Sequence, residues 1–283
     1  MFQIHSLQTL TIWTIIVVVL LVWFGSRKQP LAVVTSLYRE IRTSKKLLIA
    51  FTALLLILVV NKYELHLEAW INPSWDFTSV IYQLEGNLVY NLQQLFENPI
   101  LTDILGFFYL VVFQALIVAS LAIYAATKQT KMAISVCYAV TLNYLIAIPF
   151  YLFVPVNEVW SYAPSGVQFL MLNVFPTFEE QYRHLSGLDN CFPSLHTSIS
   201  VTIAILAIRS GNRRWKWVAC ISAVTIVFSI FYLGIHWLSD MLAGTTLALF
   251  ASWAGMKLAG VEHSRQPLNS HQAAVEVSKP VSE

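Results

Sequence analysis

The chain has 283 residues, of which 57% are hydrophobic and 11% charged. Soluble domains are about a quarter charged, so a water-soluble globular domain is excluded and a single polytopic membrane bundle is indicated. The net charge of +2 says little, because the charges are segregated along the chain, and no nucleic-acid partner is expected.

Apolar runs occur at 7–24, 47–60, 101–126, 132–154, 193–208, 215–235 and 237–258. A span needs about 20 apolar residues, so these runs predict an all-α bundle of about seven transmembrane helices. The first run has no basic residue before it, and Arg27 and Lys28 follow it. A cleaved signal peptide has the reverse arrangement, so a retained span is expected. The second run is short, with Lys45 and Lys46 placed to snorkel at one end. Loops 25–46, 127–131 and 209–216 and the tail hold all 17 Lys and Arg residues except Lys62 and Arg183. The positive-inside rule then places the N-terminus outside and the C-terminus in the cytoplasm.

Two further segments are expected on the outer side. Residues 63–100 place Phe77, Val80, Ile81, Leu84, Leu88, Leu92 and Leu95 at helical spacing, with Asp76 as N-cap. That pattern predicts an amphipathic helix on the bilayer surface, with Trp70 and Trp75 in the interfacial belt. Residues 155–192 form a long loop positioned to cover a site. The organisation is thus two N-terminal spans joined by a basic cytoplasmic loop (1–62), the interfacial segment (63–100), a core (101–258) and a disordered cytoplasmic tail (259–283). Three cysteines give no disulfide framework: Cys137 and Cys220 lie in apolar runs, and Cys191 reads as packing.

Two stretches carry the chemistry. In Gly234-Ile-His-Trp-Leu-Ser-Asp240, His236 and Asp240 are four apart and share a helix face. The carboxylate can accept the proton of one imidazole nitrogen and leave the other free to act. In Cys191-Phe-Pro-Ser-Leu-His-Thr197, Pro193 suits the first turn of a helix, with Ser194, Leu195 and His196 following in that turn. Its free N–H groups and positive dipole end attract anions, phosphate above all. Histidine and aspartate are costly near a bilayer interior, so an intramembrane pair of this kind points to a functional site by default.

Pro193-Ser-x-His196-Thr together with Ser229-x4-Gly234-x-His236-x3-Asp240 resembles the two C-terminal signatures of the type 2 phosphatidic acid phosphatase superfamily, over roughly residues 100–258. The resemblance implies a membrane enzyme that hydrolyses or transfers lipid phosphate groups. The family's first motif, with its Lys and Arg, has no match near Asn143–Pro155, and the Arg expected after Ser229 is Ile230. The run Ile148-Pro-Phe-Tyr-Leu-Phe-Val-Pro-Val156, followed by Trp160 and Pro164, looks like the inositolphosphotransferase branch, which includes inositol phosphorylceramide synthases.

Phosphate ester cleavage needs a nucleophile, an acid for the leaving oxygen and positive character around the phosphoryl oxygens. His236 is the expected nucleophile, oriented by Asp240 and forming a phosphohistidine, with His196 as general acid. Ser194 and the first-turn N–H groups hold phosphoryl oxygens, and Gly234 allows close approach. Arg183 is placed to contact phosphate bidentately, against a plain reading as a solvated partner of Glu179 or Glu180. Glu158 is either a head-group ligand or a solvated loop residue. His184 with Glu179, Glu180 and Asp189 fits no metal-ligand spacing, so no metal or cofactor is assigned. Fewer fixed cations suit a phosphodiester better than a monoester and lean the reading to head-group transfer, with a membrane lipid phosphate as substrate and an alcohol as acceptor. Lipid monoester hydrolysis is the alternative. A transporter or non-catalytic lipid binder is the competing class, but no internal repeat supports it.

Overall fold

A computed structural model describes residues 3–71, 75–183 and 186–261. His184 and the tail from Glu262 to Glu283 lie outside the described residues.

All seven apolar runs fall in helices, and polar caps set where several begin. Ser6 accepts the Thr9 N–H at the start of α1 (Leu7–Ser26). The 25–46 loop contains a helix, α2 (Pro30–Thr43), whose apolar and basic residues alternate at helical spacing. It bends by 105° into α3 (Lys45–Lys62), with Ser44 capping the Leu47 N–H at the corner. Lys28 donates to the Ala126 carbonyl at the end of a neighbouring helix, a favourable place for a cation.

The expected interfacial helix is three helices: α4 (Glu64–Ile71), α5 (Thr78–Glu85) and α6 (Leu88–Phe96). Asp76 accepts the Thr78 N–H but is not the expected N-cap: Phe77 holds that position, and Asp76 stands one residue before it. Gly86 then breaks the helix at φ +58, where residues with a Cβ are strained. Ile81 and Val89 are buried while Leu84 and Leu95 are exposed, so the stretch packs on one face only. Gln93 is buried because its amide bridges the Gln168 and Tyr232 carbonyls at 2.9 and 3.0 Å.

Asn98 caps the next long helix, which runs as α7 (Pro99–Phe107), a π-helical turn (Phe108–Val112) and α8 (Phe113–Ala126). It is followed by α9 (Thr130–Phe153). The 155–192 segment is a packed cap with two 3-10 turns and the short helices α10 (Met171–Val174) and α11 (Phe178–Gln181). Val156, Val159, Met171, Phe175 and Phe178 are buried under it. The last three helices are α12 (Leu195–Arg209), α13 (Arg213–Tyr232) and α14 (Leu238–Ala259).

Among the described residues there is no strand, only the parallel bridge Val156–Asn190. By length and composition α1, α7–α8, α9 and α13 can each cross a bilayer, and the bent α2–α3 pair makes a fifth span if taken as one. α12 is shorter, at 15 residues. The exposed faces of α1 and α3 are apolar, with Ile12, Ile15, Leu20, Leu55 and Leu56 outward. A helix apolar all round suits a lipid surrounding.

The larger core cluster is built mainly by α3, α8, α9, α12, α13 and α14. Gly244 is one reason α14 and α12 approach so closely: a Cβ there would meet the Ser194 carbonyl oxygen at 2.6 Å.

Candidate active site

Ser194 is the N-cap of α12, its Oγ accepting the Thr197 N–H at 3.3 Å. Pro193 therefore stands before the helix rather than in its first turn, and its carbonyl accepts the Tyr151 hydroxyl at 3.0 Å. The Ser194 N–H donates to the Asp240 carbonyl at 3.1 Å, tying the start of α12 to the first turn of α14. Among the described residues the Leu195 and His196 N–H groups donate no hydrogen bond. The first turn of α12 thus offers two free N–H groups at a positive helix end.

Just before α14, Gly234 adopts φ +83, and a Cβ there would lie 2.5 Å from the Gln168 carbonyl oxygen. The turn lets the Ile235 and His236 N–H groups both bond the Ile230 carbonyl, at 3.0 and 3.1 Å. His236 is buried, and its Nδ1 is 3.1 Å from Asp240 Oδ2. The same carboxylate oxygen accepts the Trp237 N–H at 2.9 Å. A carboxylate on Nδ1 places the imidazole proton there and leaves Nε2 with its lone pair free.

His196 approaches from α12, with the two imidazole centroids 6.3 Å apart. Tyr109 stacks on His196 at 3.8 Å and 15°, and Phe113 lies against it at 4.2 Å. Tyr109 lies in the π-helical turn and Phe113 directly follows it. Residues four apart share a helix face, so both rings reach the one imidazole, and π-helical turns occur frequently at functional sites. Sequence periodicity carries no signal for such a turn.

The carboxylate of Glu85 accepts the Leu238 and Ser239 N–H groups at 2.6 and 2.7 Å and also bonds the Ser239 hydroxyl. It caps α14 from α5, 153 residues away in sequence. The sequence reading missed Glu85, because nothing local connects it to the motif.

Arg183 and Glu158 meet in the cap. Arg183 Nη1 and Nη2 bond Glu158 Oε1 and Oε2 at 2.8 and 2.9 Å. Nε and Nη2 bond Glu179 at 3.0 and 2.7 Å, and Nη1 also donates to the Gly187 carbonyl at 3.1 Å. All the guanidinium donors are therefore engaged. Burial alone would lower the Arg183 pKa, but the bonds to Glu179 and Glu158 outweigh it and hold the group charged. Burial pushes the Glu158 carboxyl up, against the pull of Arg183. The pair is neither solvated nor a free cation at the site. Glu180, the other acidic partner considered, is exposed.

His196, His236 and Glu158 line one cavity of about 410 Å³, together with Tyr109, Tyr144 and Tyr151. Among the described residues no Lys or Arg lines it. A larger apolar groove of about 650 Å³ between α12 and α13 lies away from the histidines and faces outward.

Cys191 Sγ lies with the His236 and Asp240 ligand atoms in a group spanning at most 4.8 Å. Burial and the carboxylates of Asp240 and Glu158 push its thiol pKa up, and Sγ donates to the Ile235 carbonyl at 3.5 Å. A thiol held protonated is a poor ligand and nucleophile, which favours a packing role.

The cap is stitched to this site through its backbone. The Val159 and Trp160 N–H groups bond the Ile235 and Gly234 carbonyls at 3.2 and 3.0 Å, and Trp237 Nε1 bonds the Asn157 carbonyl at 2.9 Å.

No curated protein and no solved structure matches the chain. A family profile described as PAP2 superfamily matches residues 79–254, which takes in α5, both histidines, Asp240 and the cap. With more than half of its length inside that match, this chain belongs to the PAP2 superfamily.

Proposed function

We propose that this protein is an integral-membrane enzyme that cleaves or transfers a lipid-linked phosphate through a phosphohistidine. The observation that carries the reading is His236 bonded to Asp240 with His196 beside it, on one cavity between helices. His236 Nε2 attacks phosphorus, forming a P–N bond as the P–O bond to the leaving group breaks. His196 gives its proton to the departing alkoxide. Water or a second alcohol then gives a proton to His196 and attacks phosphorus, breaking the P–N bond. The free N–H groups of Leu195 and His196, both on the cavity wall, stabilise the phosphoryl oxygens, while Ser194, buried and off that wall, caps the helix that presents them.

Transfer of a head group from a phosphodiester is the favoured form, as in the inositolphosphotransferase branch. Support comes from the cavity's charge: no Lys or Arg among the described residues lines the wall, and Arg183 in the cap is committed to Glu158 and Glu179. A phosphodiester carries less negative charge than a monoester and needs less compensation. The basic residues favour an outer-face site.

The test is a panel of lipid phosphomonoesters and phosphodiesters, with free phosphate and lipid product measured together. Faster cleavage of monoesters than of every diester would reverse the preference. Equal activity of His236→Ala and wild type would remove the phosphohistidine mechanism.

A further inference from the structure

The cavity that holds the two histidines is also lined by Glu64 and Asn190, which no step above uses. Glu64 opens α4 and is 3% exposed. Its Oε2 accepts from Asn190 Nδ2 at 2.9 Å, which fixes the amide so that Oδ1 is the oxygen left over. Glu64 Oε1 and Asn190 Oδ1 are both buried, and neither meets a hydrogen-bond donor among the described residues. A buried acceptor without a donor is costly, and two on paired side chains at a cavity wall call for a ligand that supplies both.

We infer that Glu64 and Asn190 form a head-group subsite for a hydroxyl-rich alcohol, two of whose hydroxyls donate to Glu64 Oε1 and Asn190 Oδ1. The inference rests on the reading of the cavity as a lipid-phosphate site, and it assigns the alcohol side of the scissile P–O bond. A quaternary ammonium has no proton to donate and would leave both oxygens unpaired. A primary ammonium can donate to Glu64, which has Glu68 and Asp189 nearby, but it brings no acceptor for the Asn61 and Gln114 amides or the Tyr144 hydroxyl on the same wall. A polyol both donates and accepts, and so matches Asn61, Gln114 and Tyr144 on the same wall. A site built to bond substrate hydroxyls rejects analogues that lack them.

The test presents the full-length enzyme with phosphatidylinositol, phosphatidylglycerol, phosphatidylethanolamine, phosphatidylcholine and phosphatidate, reading kcat/KM for each. Wild type is expected to prefer the two hydroxylated head groups over ethanolamine and choline by at least about tenfold. Glu64→Gln and Asn190→Ser should each lower the phosphatidylinositol to phosphatidate ratio by about tenfold. Equal turnover of ethanolamine or choline lipids by wild type overturns the inference, as does a ratio kept within about twofold in both variants. If the variants do not fold, wild type decides alone, because glycerol must then inhibit far better than 1-propanol. Wild type inert on all five lipids would instead overturn the lipid-phosphate reading, and the subsite with it.

Discussion

His236 can act as a nucleophile only while Asp240 holds its Nδ1 proton, so the two residues have separable signatures. His236→Ala is expected to abolish turnover, because no P–N bond can form. Asp240→Asn should express normally and lose about 10²–10⁴-fold in kcat through the wrong tautomer. His196→Ala should cost about 10²–10⁴-fold on a poor leaving group and much less on a nitrophenyl ester, whose oxygen needs little protonation. Stopped-assay kinetics on the two ester types check this, and an equal loss on both would take the acid role from His196. Glu64 adds a pH signature. Burial, opposed by the Asn190 bond, raises its carboxyl from 4.5 to about 7. The folded protein therefore holds this proton more tightly than the unfolded chain. Its stabilising effect is present below about 4.5 and lost as the pH rises through about 7. Glu64→Gln should flatten the melting temperature across that window, and an unchanged slope would assign it to another group.

At the scale of elements, the geometry of the first turn of α14 depends on a carboxylate from α5. Glu85→Ala leaves the Leu238 and Ser239 N–H groups without their acceptor, a loss of about 1–3 kcal/mol. Glu85→Gln retains an acceptor oxygen and should lose less than half as much. Chemical denaturation with kcat measured alongside checks both, and full stability in Glu85→Ala would refute the cap. The Arg183–Glu158 pair ties the two ends of the 155–192 cap together. Arg183→Ala strands a buried carboxylate, which typically costs about 3–5 kcal/mol. Replacing both partners with Met should recover part of that loss. If Arg183→Ala is as stable as wild type yet inactive, a direct role at the phosphate is restored. Sequence periodicity found the helices but not these ties, because a cap or ion pair between residues 25 or 153 positions apart leaves no local pattern.

Across the whole molecule, orientation follows from where the basic residues lie. In a background lacking the native cysteines, Glu180→Cys and Thr43→Cys place single exposed thiols on the two expected sides. An impermeant thiol reagent should label Glu180→Cys in intact cells and spare Thr43→Cys. Equal or reversed labelling would move the site to the cytoplasmic face. Helix class and the seven apolar runs were legible in the sequence, because hydropathy is a local property of the chain. The His236–Asp240 contact was expected on one helix face, whereas His236 precedes α14 and reaches Asp240 across the N-cap Trp237. The break at Gly86 and the helix within 25–46 were not anticipated. Gly86 interrupts an otherwise continuous apolar pattern, and charge count alone had marked 25–46 as a loop. Tertiary structure alone decided that Arg183 is also bound by Glu158, that Tyr109 and Phe113 pack on His196, and that Glu64 reaches the histidine cavity. Each depends on which distant segments pack together, and that is settled by burial and hydrogen-bond satisfaction over the whole fold.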